Sequence, residues 1–185
     1  MILLRLKMCG GQTMIKVIGC TIILGASTMA GYIYSERLKY RVIQLNEIQR
    51  AVHQLQNEIT YAHALLPDAF KNVASKSREP IKELFNKTSE LLSDNEYENV
   101  YEAMNSAMNL IKSRLNLTLD DINVILDLSK TLGECDIEGQ NNIFSLTIEN
   151  LKKQIKISEE FMKKNIKMYR YLGFSFGAML VIALI

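Results

Sequence analysis

Few residues in this chain combine the chemistry of a catalytic or metal-binding group with a useful spacing. His53 and His63 fall on one predicted helix, about 15 Å apart along its axis, which is too far for both to bind one metal ion. Cys135 has no second cysteine near it in sequence, and Asp120 and Asp121 are explained as capping residues of a helix. Motifs of phosphate loops, zinc proteases and redox dithiols are absent. The sequence therefore predicts no enzyme, no cofactor and no metal site.

Helices must position these residues, because no segment alternates polar and apolar residues with the period of two that strands require. The strongest pattern is a series of apolar residues spaced three and four apart: Leu45, Ile48, Val52, Leu55, Ile59, Ala62 and Leu66. We predict one helix through this series, ending at Pro67, which cannot continue it. Leu55 and Ile59 lie in the middle of the series and should be buried.

Further helices are predicted from a short apolar pattern at Phe70 and Val73 and from residues typical of helix starts. Those starts are Pro80, Ser93 with Glu96 as a capping box, and Thr118. The helix after Ser93 should run from Tyr97 to Leu115, and the helix after Thr118 should stop at Gly133. A last helix opens around residues 136–140. The predicted class is all-α: a cytosolic antiparallel bundle of five to six helices, flanked by N- and C-terminal transmembrane helices.

Both predicted membrane segments are apolar runs with basic residues on the side of the bundle. Residues 17–34 carry no charge and span about 27 Å as a helix, close to the ~30 Å core of a bilayer. Residues 171–185 are also uncharged and span about 23 Å. The adjacent basic residues are Arg37, Lys39 and Arg41 at one end and Lys163, Lys164, Lys167 and Arg170 at the other. This arrangement predicts a cytosolic domain at a cell membrane.

These signals divide the chain into four parts. Residues 1–13 are either an upstream start or a leader, residues 14–34 and 171–185 are transmembrane helices, and residues 35–170 form the cytosolic helical domain. Two alternatives remain for the first run. Residues 17–20 resemble a lipoprotein cleavage box, and residues 28–30 resemble a signal-peptide cleavage site that would place the domain outside the cell.

The charge distribution excludes one class of partner and suggests another. The chain has a net charge of +2, yet residues 42–162 hold 12 Lys and Arg against 19 Asp and Glu, a net charge of −7. An acidic domain lacks the basic face that nucleic acid requires. We predict a protein partner on an exposed polar surface made of Glu90, Asp94, Glu96, Glu98, Glu102, Asp136 and Gln140. The alternative for Asp136 and Gln140 is that they cap the last helix.

Small residues in the two apolar runs predict close helix packing. Ser27 and Gly31 are four residues apart in the first run, and Gly173 and Gly177 form a GxxxG pair in the second. Such flat faces let helix backbones approach each other closely. We expect the two runs to pack against each other or against another protein, including a second copy in a homo-oligomer.

Several short segments, taken in order, resemble one known family. They are Met14-Ile15-Lys16, Gly25-Ala26-Ser27-Thr28, Glu58-Ile59-x-Tyr61, Pro67-Asp68-Ala69-Phe70, Leu132-Gly133-x-x-Asp136-x-x-x-Gln140 and Leu172-Gly173-Phe174. In order and spacing, residues 14–185 resemble the stage III sporulation protein AB family of endospore-forming bacteria. Residues 1–13 depart from the family pattern.

The resemblance implies a helical cytosolic domain similar to those of the type II secretion F and type IV pilus platform proteins. It implies a non-enzymatic platform in the mother-cell membrane around the forespore, within a secretion-like channel complex. The implied partners are a cytosolic secretion-type ATPase and other membrane proteins of that channel. A membrane-anchored coiled-coil scaffold or signalling protein is the alternative, because the repeat from Leu45 to Leu66 is also typical of coiled coils.

Overall fold

The computed structural model describes the backbone of residues 2–94, 96, 97, 99–132 and 137–184. It does not describe the side chains of residues 2–18, 20, 137, 138, 170, 173, 174, 180, 183 and 184. The described residues form six α-helices and one short 3₁₀-helix, with no β-strand among them. Their bounds are α1 Ile2–Thr60, α2 Leu66–Lys76, α3 Ile81–Ser93, α4 Val100–Leu110, η1 Lys112–Arg114, α5 Leu119–Thr131 and α6 Ile137–Leu184. The all-α class is confirmed.

The chain divides into two compact units. The larger, which we call the body, is Tyr40–Glu159, and the terminal unit comprises Met1–Lys39 and Glu160–Ile185. The body has one hydrophobic core that draws buried side chains from α1 to α6, and the neighbouring helices α2 and α3, α3 and α4, and α4 and α5 contact one another. Such contacts are expected when the connections between helices are short.

The apolar series of α1 faces this core. Leu45, Ile48, Val52 and Leu55 are fully buried, whereas Ile59 is only half-buried at its edge. The burial of Leu55 is confirmed, and the burial of Ile59 was predicted too strongly. Because helices of the same body cover the series, no second coiled-coil strand is needed to bury it, which argues against the scaffold alternative.

The predicted end of α1 lies several residues beyond the observed one. The helix ends at Thr60 rather than at Pro67, which lies instead in the first turn of α2. The amides of Tyr61 and Ala62 donate back to the carbonyl of Asn57, at 3.0 and 3.2 Å. These hydrogen bonds satisfy a free carbonyl of the last helical turn, so the helix can end here without a proline to stop it.

Helix α3 begins as predicted, but α4 does not. Pro80 is the N-cap of α3. Ser93, predicted to cap the next helix, is the last residue of α3 and donates its hydroxyl to the carbonyl of Ser89 at 2.9 Å. The true cap of α4 is Asn99, whose side chain accepts the amide of Glu102 at 2.8 Å. The helix therefore starts after Tyr97, and it ends at Leu110, ahead of the predicted Leu115.

The start of α5 is confirmed in detail. Thr118 and Asp121 form a capping box, in which each side chain accepts the backbone N–H of the other residue. The helix ends at Thr131, and the predicted stop at Gly133 lies outside the described residues. Helix α6 begins at Ile137, within the predicted range of 136–140.

Both long helices continue from the body into the terminal unit, as the sequence predicted. Within the part of the chain that the structure describes, no helix has a stretch apolar and long enough to cross a membrane. The two membrane segments, residues 14–34 and 171–185, therefore stay predictions.

Candidate functional site

A buried ion pair joins helix α1 to the start of α5. Arg41 Nε donates to Asp121 Oδ2 at 2.8 Å, and Arg41 Nη2 donates to Asp121 Oδ1 at 3.0 Å. The same Nη2 reaches Thr118 Oγ1 at 3.2 Å. The side chain of Asp121 is 0% exposed and that of Arg41 is 18% exposed. This two-point contact fixes both the distance and the orientation of the two helices.

Sequence reasoning missed this ion pair. It assigned Arg41 to the basic residues beside a membrane and treated Asp121 only as a helix cap. One signal was present: Asp121 shares a helix face with Ile125 and Leu128, both of which are buried. A carboxylate on a buried face requires a cation, but the sequence does not say which one.

The predicted acidic surface lies at the junction of α3 and α4. Glu90, Asp94, Glu96 and Glu102 are all exposed there, and Glu98 lies outside the described residues. Glu90 accepts hydrogen bonds from Lys87 at 2.6 Å and from Asn86 at 2.7 Å. Asp94, Glu96 and Glu102 make no ion pair with any described residue. Three carboxylates of this junction are therefore available to a partner.

A shallow groove of about 440 Å³ begins at Glu102 and follows α4. Tyr97 forms one wall, and its hydroxyl donates to Ser106 Oγ at 3.2 Å. Along α4 the lining residues run from Glu102 through Asn105, Ser106 and Asn109 to Leu110, 66% of whose surface is exposed. The groove therefore has a carboxylate at one end and an uncovered leucine at the other.

The two remaining residues of the predicted surface do not add to this site. Asp136 lies outside the described residues. Gln140 is half-buried in the first turns of α6. Its neighbour Asn141 accepts hydrogen bonds from Gln56 and Thr60 of α1, each at 3.3 Å. This part of α6 therefore helps to hold α1 in place.

A second groove, of about 500 Å³, lies between α1 and the connection from α2 to α3. Ile43, which is exposed, forms part of its lining, together with Glu47 and Arg78. Burial raises the pKa of Glu47, but hydrogen bonds from the Arg50 side chain and the Arg78 amide outweigh it, so the pKa is lowered overall. Glu47 thus stays ionised and ties α1 to the α2–α3 connection.

In the terminal unit, a glycine of α6 meets α1 closely. A Cβ atom placed on Gly177 would lie 3.0 Å from Ser27 Cβ and 3.3 Å from a methyl carbon of Leu24. Gly31 is half-buried, and Gly173 lies in α6 among the residues whose surroundings are not described. Ser27 and Gly177, two of the four predicted packing residues, are therefore neighbours.

A pair of aromatic side chains also joins α1 and α6 in the terminal unit. The rings of Tyr34 and Tyr169 have centroids 4.5 Å apart and are tilted by 54°.

Comparison with known proteins identifies the family. The model of the stage III sporulation protein AB family matches residues 16–185. The chain belongs to this family. Stage III sporulation protein AB of Bacillus subtilis (strain 168) is 28% identical over 175 residues, which cover 92% of this chain and 99% of that protein. A solved structure of a stage III sporulation protein AB has a TM-score of 0.62 at 24% identity, covering 66% of this chain and 96% of that one. The resemblance noted in the sequence is thus confirmed.

The family-like segments of the sequence serve different roles in the fold. Phe70 is fully buried and packs against Phe85, with ring centroids 5.6 Å apart. Tyr61, in contrast, is exposed at the turn after α1. Core packing therefore explains the presence of Phe70 in this member of the family, but it does not explain Tyr61.

The described residues of this family member contain no group of three or more His, Cys, Asp or Glu side chains that could hold a metal ion. His53 and His63 are both exposed, and Cys135 lies outside the described residues. The candidate sites that the structure describes are surfaces and helix contacts.

Proposed function

We propose that this chain is a non-enzymatic platform component of a secretion-like channel between mother cell and forespore. The family match over residues 16–185 carries this proposal. The single all-helical body supports it, because a platform needs a rigid surface for other proteins rather than a reaction centre.

The test is deletion of the gene in its host, followed by a count of heat-resistant spores. We expect sporulation to stop after engulfment while vegetative growth continues, and the full-length chain to restore spores. Normal spore numbers in the deletion strain would contradict the proposal.

We propose further that the terminal unit lies in the mother-cell membrane around the forespore and that the body is cytosolic. Large apolar side chains of this unit are exposed, among them Ile22, Met29, Leu172, Phe176 and Ile182. Exposed apolar residues in such numbers are typical of surfaces covered by lipid or protein. The basic residues beside both apolar runs favour the cytosolic side for the body.

Cysteine labelling tests this topology. Lys71 is exposed on α2, so a Lys71→Cys variant without the three native cysteines offers one labelling site. An impermeant maleimide should label it only after the cells are lysed. Labelling in intact cells would contradict a cytosolic body.

The proposed partner of the acidic junction is a cytosolic secretion-type ATPase, since a platform must receive force from nucleotide hydrolysis. Asp94 and Glu96 are exposed and form no ion pair with the described residues, so opposite charges on an ATPase could approach them. Such attraction mainly speeds and orients the encounter, and salt weakens it because the Debye length falls to about 8 Å at physiological ionic strength.

Charge reversal tests this docking surface. Asp94→Lys with Glu96→Lys should weaken binding of the purified ATPase several-fold at low salt. Asp68→Lys with Glu149→Lys is the matched control, because both residues are exposed elsewhere on the body, neither forms an ion pair with a described residue, and the change in net charge is the same. Equal binding by wild type and both double variants at low salt would refute the docking surface.

A further inference from the structure

Helix α6 carries an uncovered strip on the face opposite the core. Leu146, Asn150, Lys153 and Ile157 are spaced four, three and four apart, and all four are exposed. Leu146 leaves 60% of its surface uncovered. Lys153 makes no ion pair or hydrogen bond with any residue that the structure describes. The strip therefore combines an apolar contact point with a free positive charge.

The rest of the helix explains why these residues are not covered within the chain. Phe144, Ile148, Leu151 and Ile155 of α6 are buried in the core. They occupy the face of the helix that turns inward, at the spacing of an amphipathic helix. The strip consequently faces away from the core, and the described residues of the chain leave it exposed.

The groove along α4 matches this strip in length, charge and polarity. Glu102 and Leu110 stand at its two ends, about 12 Å apart at ~1.5 Å per helical residue. Leu146 and Lys153 of the strip are about 10 Å apart by the same measure. With the helices antiparallel, a lysine meets a carboxylate at one end and a leucine meets a leucine at the other.

We propose that the α6 strip of one copy of this chain lies antiparallel in the α4 groove of a second copy. Lys153 then faces Glu102, and Leu146 covers Leu110. Asn150 faces the polar middle of the groove. The occupant is a second copy because the same body offers both complementary surfaces, and this argument does not depend on the proposed channel or on its ATPase.

The contact has two consequences. It joins different surfaces of the two copies. One copy therefore keeps a free groove and the other a free strip, unless the assembly closes into a ring. It also depends on a charge pair at an exposed site, so salt should weaken it.

The experiment uses two full-length copies with different affinity tags, co-expressed and purified in detergent through one tag. At low salt we expect the second copy to co-purify. Lys153→Glu in both copies, or Glu102→Lys in both copies, should reduce its recovery at least fivefold. A chain carrying both substitutions restores opposite charges across the contact and should recover at least half of the wild-type yield.

Two controls separate this contact from general effects. Lys71→Glu makes the same charge change at an exposed lysine on α2 and should leave co-purification unchanged. Leu146→Asp tests the apolar end of the strip without altering Lys153, and it should also lower recovery. Circular dichroism of each variant should show the helical signal and melting midpoint of the wild type.

Several results would overturn the proposal. One is failure of the second wild-type copy to co-purify. Another is unchanged recovery of the second copy with either single charge reversal. A third is a doubly substituted chain whose recovery is no better than that of the single variants. Sporulation that fails in Lys153→Glu while self-association stays intact would assign the strip to a different protein.

ATPase binding by the same variants separates this proposal from the docking surface. Asp94→Lys with Glu96→Lys should lower ATPase binding and leave self-association intact, whereas Lys153→Glu should do the reverse.

Discussion

Removing the carboxylate of Asp121 should destabilise the body more than almost any other change at a polar residue. In Asp121→Ala, the guanidinium of Arg41 loses both of its carboxylate contacts, at 2.8 and 3.0 Å. The backbone N–H of Thr118, which donates to Asp121 Oδ2 at 2.9 Å, loses its acceptor as well. One substitution therefore leaves the guanidinium without a carboxylate, with only Thr118 Oγ1 within reach at 3.2 Å, and a capping N–H without its acceptor.

The size of the effect follows from the burial of the two side chains. Breaking a buried ion pair by removing one partner costs about 3–5 kcal/mol, because the other charge stays without compensation. Arg41 is 18% exposed and can recover part of its hydration, which places Asp121→Ala near the lower end, at about 3 kcal/mol. Arg41→Met should cost more, about 4 kcal/mol, since Asp121 is 0% exposed.

A double variant tests whether the cost comes from the unpaired charge. Arg41→Met with Asp121→Leu removes both charges and fills the space with apolar atoms, an exchange that is often nearly neutral. It should be more stable than either single variant by about 2 kcal/mol. Asp120→Ala is the control, because Asp120 lies in the same first turn of α5 but is exposed. It should cost about 0.3–1 kcal/mol through the helix dipole.

Urea denaturation of residues 36–168, followed by circular dichroism, measures these free energies. This fragment contains the whole core cluster, all of whose members lie between Leu45 and Ile155. A loss below 1 kcal/mol for Asp121→Ala, or a double variant no more stable than the single ones, would refute a structural ion pair at this position.

Three further outcomes follow from the described contacts. Leu55→Ala should lower the free energy of unfolding of the same fragment by about 2–5 kcal/mol, with a clearly smaller loss for the half-buried Ile59→Ala; equal losses would contradict the core position of Leu55. Gly177→Leu should lower the melting temperature of the full-length chain in detergent, because even a Cβ atom at this position lies 3.0 Å from its neighbour. Gly25→Leu is the control: a Cβ atom there has no atom within 4 Å, so the melting temperature should not change. Because the pKa of Glu47 is lowered in the folded state, its ionised carboxylate stabilises the fold above pH 4.5, and this stabilisation is lost as the pH falls through the folded-state pKa. In Glu47→Gln the free energy of unfolding should therefore fall less steeply below pH 4.5 than in the wild type. Parallel curves of unfolding free energy against pH for the two proteins would count against this role.

Much of the fold could be read from the sequence because helix signals are local. The apolar series from Leu45 to Leu55 gave one face of α1, and that face is buried. Thr118 and Asp121 stand three residues apart, so their capping box could be recognised without knowledge of the rest of the chain. Signals of this kind depend only on neighbours within one or two turns.

The errors arose where two local signals competed. Pro67 is a strong stop signal, yet α1 had already ended at Thr60 through backbone hydrogen bonds that no side chain announces. Ser93 and Asn99 are both good caps, and the choice between them depends on where α3 ends. Helix α3 also contacts α2 and α4, and the sequence around Ser93 does not encode these contacts.

The acidic junction was predictable as a set of exposed charges, but its shape was not. Glu90, Asp94, Glu96 and Glu102 are close in sequence, so their proximity follows from chain connectivity. The groove at Glu102 requires Tyr97 to fold back onto Ser106. That contact depends on the conformation of the chain between α3 and α4, and no periodic pattern specifies it.

The sequence by itself determined the helical class, most helix starts, the inward face of α1 and the family, since each depends on residue types at short and regular spacing. Only the tertiary structure decided that Arg41 belongs to Asp121, 80 residues away, and that a leucine and a lysine on α6 remain uncovered. Both facts depend on which helices become neighbours. That choice is made by the summed burial of the core, to which every α-helix of the body contributes, and not by any local pattern.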